Sequence, residues 1–291
     1  LVAEVVRKHS YVILNAEDPN VLRLVNNTTG KVVLFSTKLQ NRAVSKHLSI
    51  GGTAVVVDKG RILVCIGSTS NFVCHLSKIP LTWGGKAKHN VQNVLAAVGA
   101  CWALGYSVIQ IRKAICGFGA NIEDNPGRLE YYEVNGLKVI LDYAHNPGGV
   151  KEVLNTLRNL KYKKLIGCVG LPGDRLDSTI RNFASEIAGA FDYIFIKEDQ
   201  NPRGRKAGEV AKIIYDQLIT EGLKPNKLNI VLKEQEAFKQ ALKKATKGDI
   251  VIVFYEKAEP LRKILKQIIT ENMANDKLDE ADIVQKVSLE V

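Results

Sequence analysis

The stretch KVILDYAHNPGGVKEVLNTLRNL, residues 138–160, decides the fold. Lys138–Asp142 reads as a buried strand, Tyr143–Pro147 as a polar loop, and Gly148–Leu160 as a helix. The same alternation then repeats. Strands are expected at Lys164–Val169, Tyr193–Lys197, Asn229–Leu232 and Ile250–Phe254. Each leads into a helix, at Asp177–Ala190, Ala207–Glu221, Glu234–Ala245 and Glu259–Asn272. Five βα units in series imply an α/β fold: a doubly wound, mostly parallel, Rossmann-like sheet with helices on both faces. Ligands of such sheets bind at the carboxyl ends of the strands. That rule singles out three polar loops, Tyr143–Pro147, Gly170–Arg175 and Glu198–Arg205.

Upstream the pattern differs. Tyr11–Leu14 and Lys31–Phe35 are short strand candidates, and Ala54–Asp58 with Arg61–Ile66 reads as a hairpin about Lys59-Gly60. His89–Leu104 places Val91, Leu95, Val98, Ala100 and Leu104 at helical spacing and stops at Gly105. Val108–Ile115 is a second, shorter helix, and Asn121–Pro126 is a turn-forming linker. The 291 residues are long for one domain and suit two. The expected division is a first α/β domain over 1–121, a second over 122–272 and a polar, fraying tail over 273–291.

Composition narrows the function. Residues are 46% hydrophobic and 24% charged, enough apolar material for packed cores. The longest apolar runs, such as Ile250–Tyr255, fall far short of the roughly 20 residues that span a membrane. Leu1–Lys8 lacks the pattern of a signal peptide. Five cysteines include no C-x-x-C pair and no zinc-ligand spacing, which points to free thiols in a reducing cytoplasm. Cys101 and Cys116 lie in apolar stretches and are expected to be buried. The formal charge of +11 would attract any polyanion. Its Lys and Arg are spread along the chain without an aromatic-interleaved stripe, which argues against nucleic acid and leaves ATP or an acidic polymer.

Three motifs carry chemistry. Leu141–Pro147 sets Asp142, His145 and Asn146 on one short loop, where a carboxylate could accept hydrogen bonds from a ribose; taken alone, Asp142 would read as a helix cap. Asn125-Pro126-Gly127-Arg128-Leu129-Glu130 puts a guanidinium on the linker, able to grip a phosphate bidentately; in isolation Arg128 is a surface charge. Lys88–Asn93 opens a helix with Asn90 and Asn93 three residues apart on one face, and an amide both donates to and accepts from an adenine edge.

In this order the motifs resemble the Mur-ligase superfamily, which includes the folylpolyglutamate synthetases. Leu14–Pro19 resembles a further turn late in the superfamily's central ATPase domain, with Glu17 in place of its first aspartate. GLPGDR, residues 170–175, and IKEDQNPRGR, residues 196–205, are similar to two loops of the branch that builds cyanophycin. The resemblance covers residues 1 to about 270 and implies the last part of the central ATPase domain followed by the C-terminal Rossmann-like domain.

What it implies chemically is an amide-bond ligase in which ATP and Mg2+ convert a carboxylate to an acyl phosphate that an amine attacks. Within that branch the amine is arginine and the acceptor is the aspartate β-carboxylate of poly-aspartate, giving cyanophycin. Carried onto this chain, Asn90, Asn93, Asp142 and Asn146 face the nucleotide, and Arg128 faces its phosphates and shares catalysis with His145. Asp174, Arg175, Glu198, Asp199, Asn201, Arg203 and Arg205 face the amino acid, and no residue is assigned to the metal. One element departs from the pattern: the 291 residues contain no G-x-x-x-x-G-K-[ST]. The expectation is therefore a piece of a longer ligase, inactive by itself. The competing expectation is a stand-alone nucleotide- or amino-acid-binding protein without catalysis. The oligomeric state is left open, a homo-oligomer included.

Overall fold

The computed structural model describes residues 3–119 and 125–276, with side chains to Thr270. Positions 121–124 of the expected linker, and the expected tail beyond 276, lie outside the described residues. Contacts divide the chain into two compact units, the first ending at Gly119.

The first unit runs β1 (Tyr11–Asn15), α1 (Pro19–Leu22), β2 (Lys31–Ser36), α2 (Arg42–Ser49), β3 (Thr53–Asp58), β4 (Arg61–Ile66), β5 (Thr69–His75), α3 (Lys88–Ala103) and α4 (Val108–Gly117). The sheet order is β1-β2-β3-β4-β5, parallel across the first three strands and antiparallel across the rest. The β3–β4 turn has positive φ at both Lys59 and Gly60, the two-residue form whose twist matches the strands. Strand alternation splits the core: Val33 and Val55 pack with Val91, Leu95 and Val98 of α3, whereas Leu34 and Val56 pack with Val44 of α2. Neither α2 nor β5 is expected from sequence. The helix is only eight residues long and buries only Val44, and the first four residues of β5 are exposed, so each offers few apolar positions to read. Cys65, Cys74 and Cys168 are buried, but Cys101 and Cys116 are only half-buried, at the edge of the α3–α4 packing rather than inside it.

The second unit runs β6 (Glu130–Val134), β7 (Leu137–Asp142), α5 (Pro147–Leu157), β8 (Leu165–Val169), α6 (Asp177–Ile187), β9 (Tyr193–Glu198), α7 (Glu209–Thr220), β10 (Leu228–Lys233), α8 (Glu234–Lys244), β11 (Ile250–Phe254) and α9 (Ala258–Asp276). All five expected βα units are present. The sheet order is β10-β9-β8-β11-β7-β6, parallel except for β6 against β7. β8 and β11 are buried at every position, as central strands covered on both faces must be. The chain steps from β7 past one vacant place to β8, runs out to β10, and returns to fill that place with β11. The strand order thus reverses around β7, β11 and β8, the point where such sheets open a crevice at their carboxyl ends.

Candidate functional site

Asp142 closes β7 and is 3% exposed. One carboxylate oxygen accepts the Leu129 N–H at 2.8 Å and the other the Ala144 N–H at 2.7 Å. Burial pushes its carboxyl up, and these two donors with the Arg128 charge offset part of that rise. Sequence reading casts Asp142 as a ribose acceptor or a helix cap. The structure instead ties it into the frame of the 127–130 segment, while Asn146 caps α5 by accepting the Gly149 N–H at 2.8 Å. Arg128 is exposed, with its guanidinium 5.6 Å from the centre of the Tyr143 ring. His145 Nδ1 lies 3.0 Å from the Tyr143 carbonyl oxygen, so that nitrogen donates and Nε2 is left as the basic one.

In the first unit the two asparagines of α3 separate. Asn90 is 5% exposed and donates to the Leu81 carbonyl at 2.9 Å, which pins the turn before the helix. Asn93 is exposed and donates to Asn90 Oδ1 at 3.4 Å, with its own carbonyl oxygen free to accept. Only Asn93 presents its amide on the surface.

The loops after β8 and β9 interlock. Arg205 is 17% exposed and donates to the Gly173 and Arg175 carbonyls, to Asp177 and to Glu209, all at 2.7–2.8 Å. Glu198 accepts the Gly208 and Ala211 N–H groups at the start of α7, at 2.7 and 2.8 Å. Both residues are therefore engaged in holding the loops, where sequence reading places them on the amino acid. Neither arginine pairs with Glu198 or Asp199. Arg203 pairs with Asp174 at 3.0 Å, and its hydrogen bond holds the Asp174 carboxyl below the usual range. Asn201 accepts the Arg203 N–H at 2.9 Å and steadies Arg203 in its left-handed conformation. Arg175 Nε lies 4.0 Å from Asp174, leaving the rest of that half-exposed guanidinium unengaged by it.

At the carboxyl ends of these strands His145, Arg175, Asp199 and Arg203 line one cavity of about 110 Å³. Lys197, Tyr255 and Glu256, polar residues absent from the sequence-based site, also line it. Asp199 and Glu256 also line a larger cavity of about 570 Å³, with Glu198, Glu234 and Glu236. The signal for Lys197 was a charge ending an apolar strand, and for Glu256 an acid two residues past β11, at the edge where ligands bind. Asn93 presents an exposed amide in the first unit, and Arg128 an exposed guanidinium in the second. Among the described residues no three His, Cys, Asp or Glu side chains stand close enough to hold a metal ion. No described helix is long and apolar enough to cross a membrane.

Residues 127–254, which lie in the C-terminal unit, match the family described as Mur ligase, glutamate ligase domain. Over most of its length the chain is similar to cyanophycin synthetases. It is 35% identical over 256 residues to that of Crocosphaera subtropica, covering 88% of this chain and 29% of that protein. With the Nostoc enzyme it shares 32% over 270 residues, covering 91% and 29%. A UDP-N-acetylmuramoyl-L-alanyl-D-glutamate–2,6-diaminopimelate ligase of Prochlorococcus marinus is 30% identical over 290 residues, covering 96% of this chain and 52% of that protein. The chain thus spans under a third of the cyanophycin synthetases it matches. Its fold is that of a murein peptide ligase from Psychrobacter arcticus, with a TM-score of 0.60 at 16% identity over 91% of this chain and 52% of that one.

Proposed function

We propose that the chain is part of an ATP-dependent carbon–nitrogen ligase that joins arginine to the β-carboxylates of poly-aspartate. The observation that supports this best is the convergence of His145, Arg175, Asp199 and Arg203, from three separate loops, on one cavity at the carboxyl ends of parallel strands. Arg175 and Arg203 would hold the α-carboxylate of the incoming amino acid, for which a planar guanidinium is well shaped. The larger cavity, bordered by Asp199 and Glu256, would receive the cationic side chain. An ammonium must lose a proton before it can attack, and His145 Nε2 is the base at hand in the smaller cavity. Asn93 would meet the adenine and Arg128 the phosphates. Bound ATP would supply the phosphoryl group that activates the carboxylate. The chain by itself, without a phosphate-binding G-x-x-x-x-G-K-[ST], would bind amino acid without turnover.

The test is arginine incorporation on a poly-aspartate primer by the full-length protein that contains this chain. Asp199→Asn should raise the apparent KM for arginine and narrow its preference over lysine, while Arg203→Ala should weaken both amino acids alike. Unchanged amino-acid kinetics in both variants would assign selection elsewhere.

A further inference from the structure

Lys197 has a side chain only 2% exposed, inside the carboxyl end of the sheet. A buried ammonium costs several kcal/mol unless it is paired and hydrogen-bonded. Here Nζ lies 2.7 Å from Glu234 and 3.3 Å from Asp199. The Glu234 carboxylate also accepts the N–H groups of Glu256, at 2.7 Å, and Lys257, at 3.3 Å. Glu256 accepts the Gln200 N–H at 2.8 Å, and Lys257 donates to the Gln200 side chain at 2.9 Å. These bonds close a ring through the loops that follow β9 and β11 and the first residue of α8. Two ammoniums, the buried Lys197 and Lys257, stand among three carboxylates in it, Asp199, Glu234 and Glu256, so the ring carries one more negative charge than positive beside the larger cavity.

We propose that Lys197 is a positioning residue: its ammonium fixes Asp199 and, through Glu234, the Glu256–Lys257 loop as the shared wall of the two cavities, and thereby sets the preference for a cationic amino acid. The inference rests on the amino-acid reading above and adds a residue to it. Lys197 acts through the carboxylates it orients, which keep the unbalanced negative charge that a guanidinium would complete. A lysine serving the fold alone would affect stability and every ligand equally.

The experiment compares the intact chain with its Lys197→Met variant and with Lys197→Met combined with Glu234→Gln. The double variant removes the carboxylate charge that the single one leaves buried without its partner, and serves where the single one does not fold. Calorimetry with L-arginine and with uncharged, near-isosteric L-citrulline reads the preference. Amide hydrogen exchange reads the loops. The expected result is a roughly tenfold fall in the arginine-to-citrulline affinity ratio, about 1.4 kcal/mol, with citrulline affinity unchanged. Protection should fall at Gln200, Glu256 and Lys257 while the amides of β8 keep theirs. An unchanged ratio in a folded variant, or protection lost evenly over β8 and β9, overturns the proposal. If the unaltered chain binds neither amino acid, the amino-acid reading falls with it; selective loss of protection then still upholds the positioning of the loops by Lys197, and its absence overturns that too.

Discussion

Arg203 and Arg205 stand two residues apart and have different surroundings. Arg205 meets two backbone carbonyls and two carboxylates across the β8 and β9 loops, whereas Arg203 is 41% exposed with its ion pair to Asp174. Arg205→Ala leaves two carbonyls without their donor and should cost about 1–2 kcal/mol of stability. Arg203→Ala should leave the melting temperature unchanged, because an exposed pair contributes little. Denaturant unfolding of both variants checks the contrast, and equal losses would contradict it. Glu17 offers a second residue-scale test, through pH. Burial acts to raise its carboxyl, but hydrogen bonds from Thr37, Ser36 and Gln92 outweigh burial and leave it below its ordinary value of 4.5. The folded chain therefore binds this proton less readily than the unfolded chain. The stability so contributed is present above pH 4.5 and is lost as pH falls through the lower, folded value. Glu17→Gln should accordingly be less stable than the parent at pH 7, by a margin that narrows at pH 3.5. A margin independent of pH would show that the charge has no part in it.

At the scale of elements, the 127–130 segment is a constrained turn near the site. Gly127 has φ +83°, and a Cβ added there would meet the Tyr255 hydroxyl at 2.3 Å. Gly127→Ala combines a disfavoured backbone with a clash, and should lower stability by about 1–3 kcal/mol. A melting curve superimposable on the parent's would sink this. The same scale explains what the sequence made legible. The βα units of the second unit are readable because β8 and β11 are unbroken apolar runs between polar loops, and the parallel-sheet rule then points to the loops that bind. β6 escaped notice although Asn135-Gly136, both at positive φ, is a hairpin signal. The roles of Glu198 and Arg205 could not be read from residue type, since a charge that caps a helix and a charge that grips a ligand look alike until partners are known. Lys197 and Glu256 were hidden for a related reason, because each stands where an apolar run meets a short run of charges, and the partners Glu234 and Gln200 lie on other segments.

For the whole molecule the relevant quantity is the sum of charges. Lys and Arg number 41 against 30 Asp and Glu, yet the larger cavity at the site gathers five carboxylates against three lysines, Lys233, Lys239 and Lys257. A basic surface around a locally acidic cavity sorts two ligands of opposite sign: a polyanion is drawn to the exterior, and a small cation is held inside. Under the proposed function the polyanion is poly-aspartate and the cation is arginine. The two attractions should then respond differently to salt. Surface charges spread over many ångströms are screened once the Debye length falls from about 10 Å at 0.1 M to about 3 Å at 1 M. A guanidinium against buried carboxylates such as Asp199, whose side chain is 8% exposed, is screened far less. Raising salt from 0.05 to 0.5 M should therefore weaken poly-aspartate binding by at least about tenfold, while arginine affinity changes by less than about threefold. Calorimetric titration of each ligand across that range measures both. Equal salt sensitivity would mean that arginine is held at the surface like the polymer, and salt-insensitive polymer binding would mean that the net positive charge has no part in substrate capture.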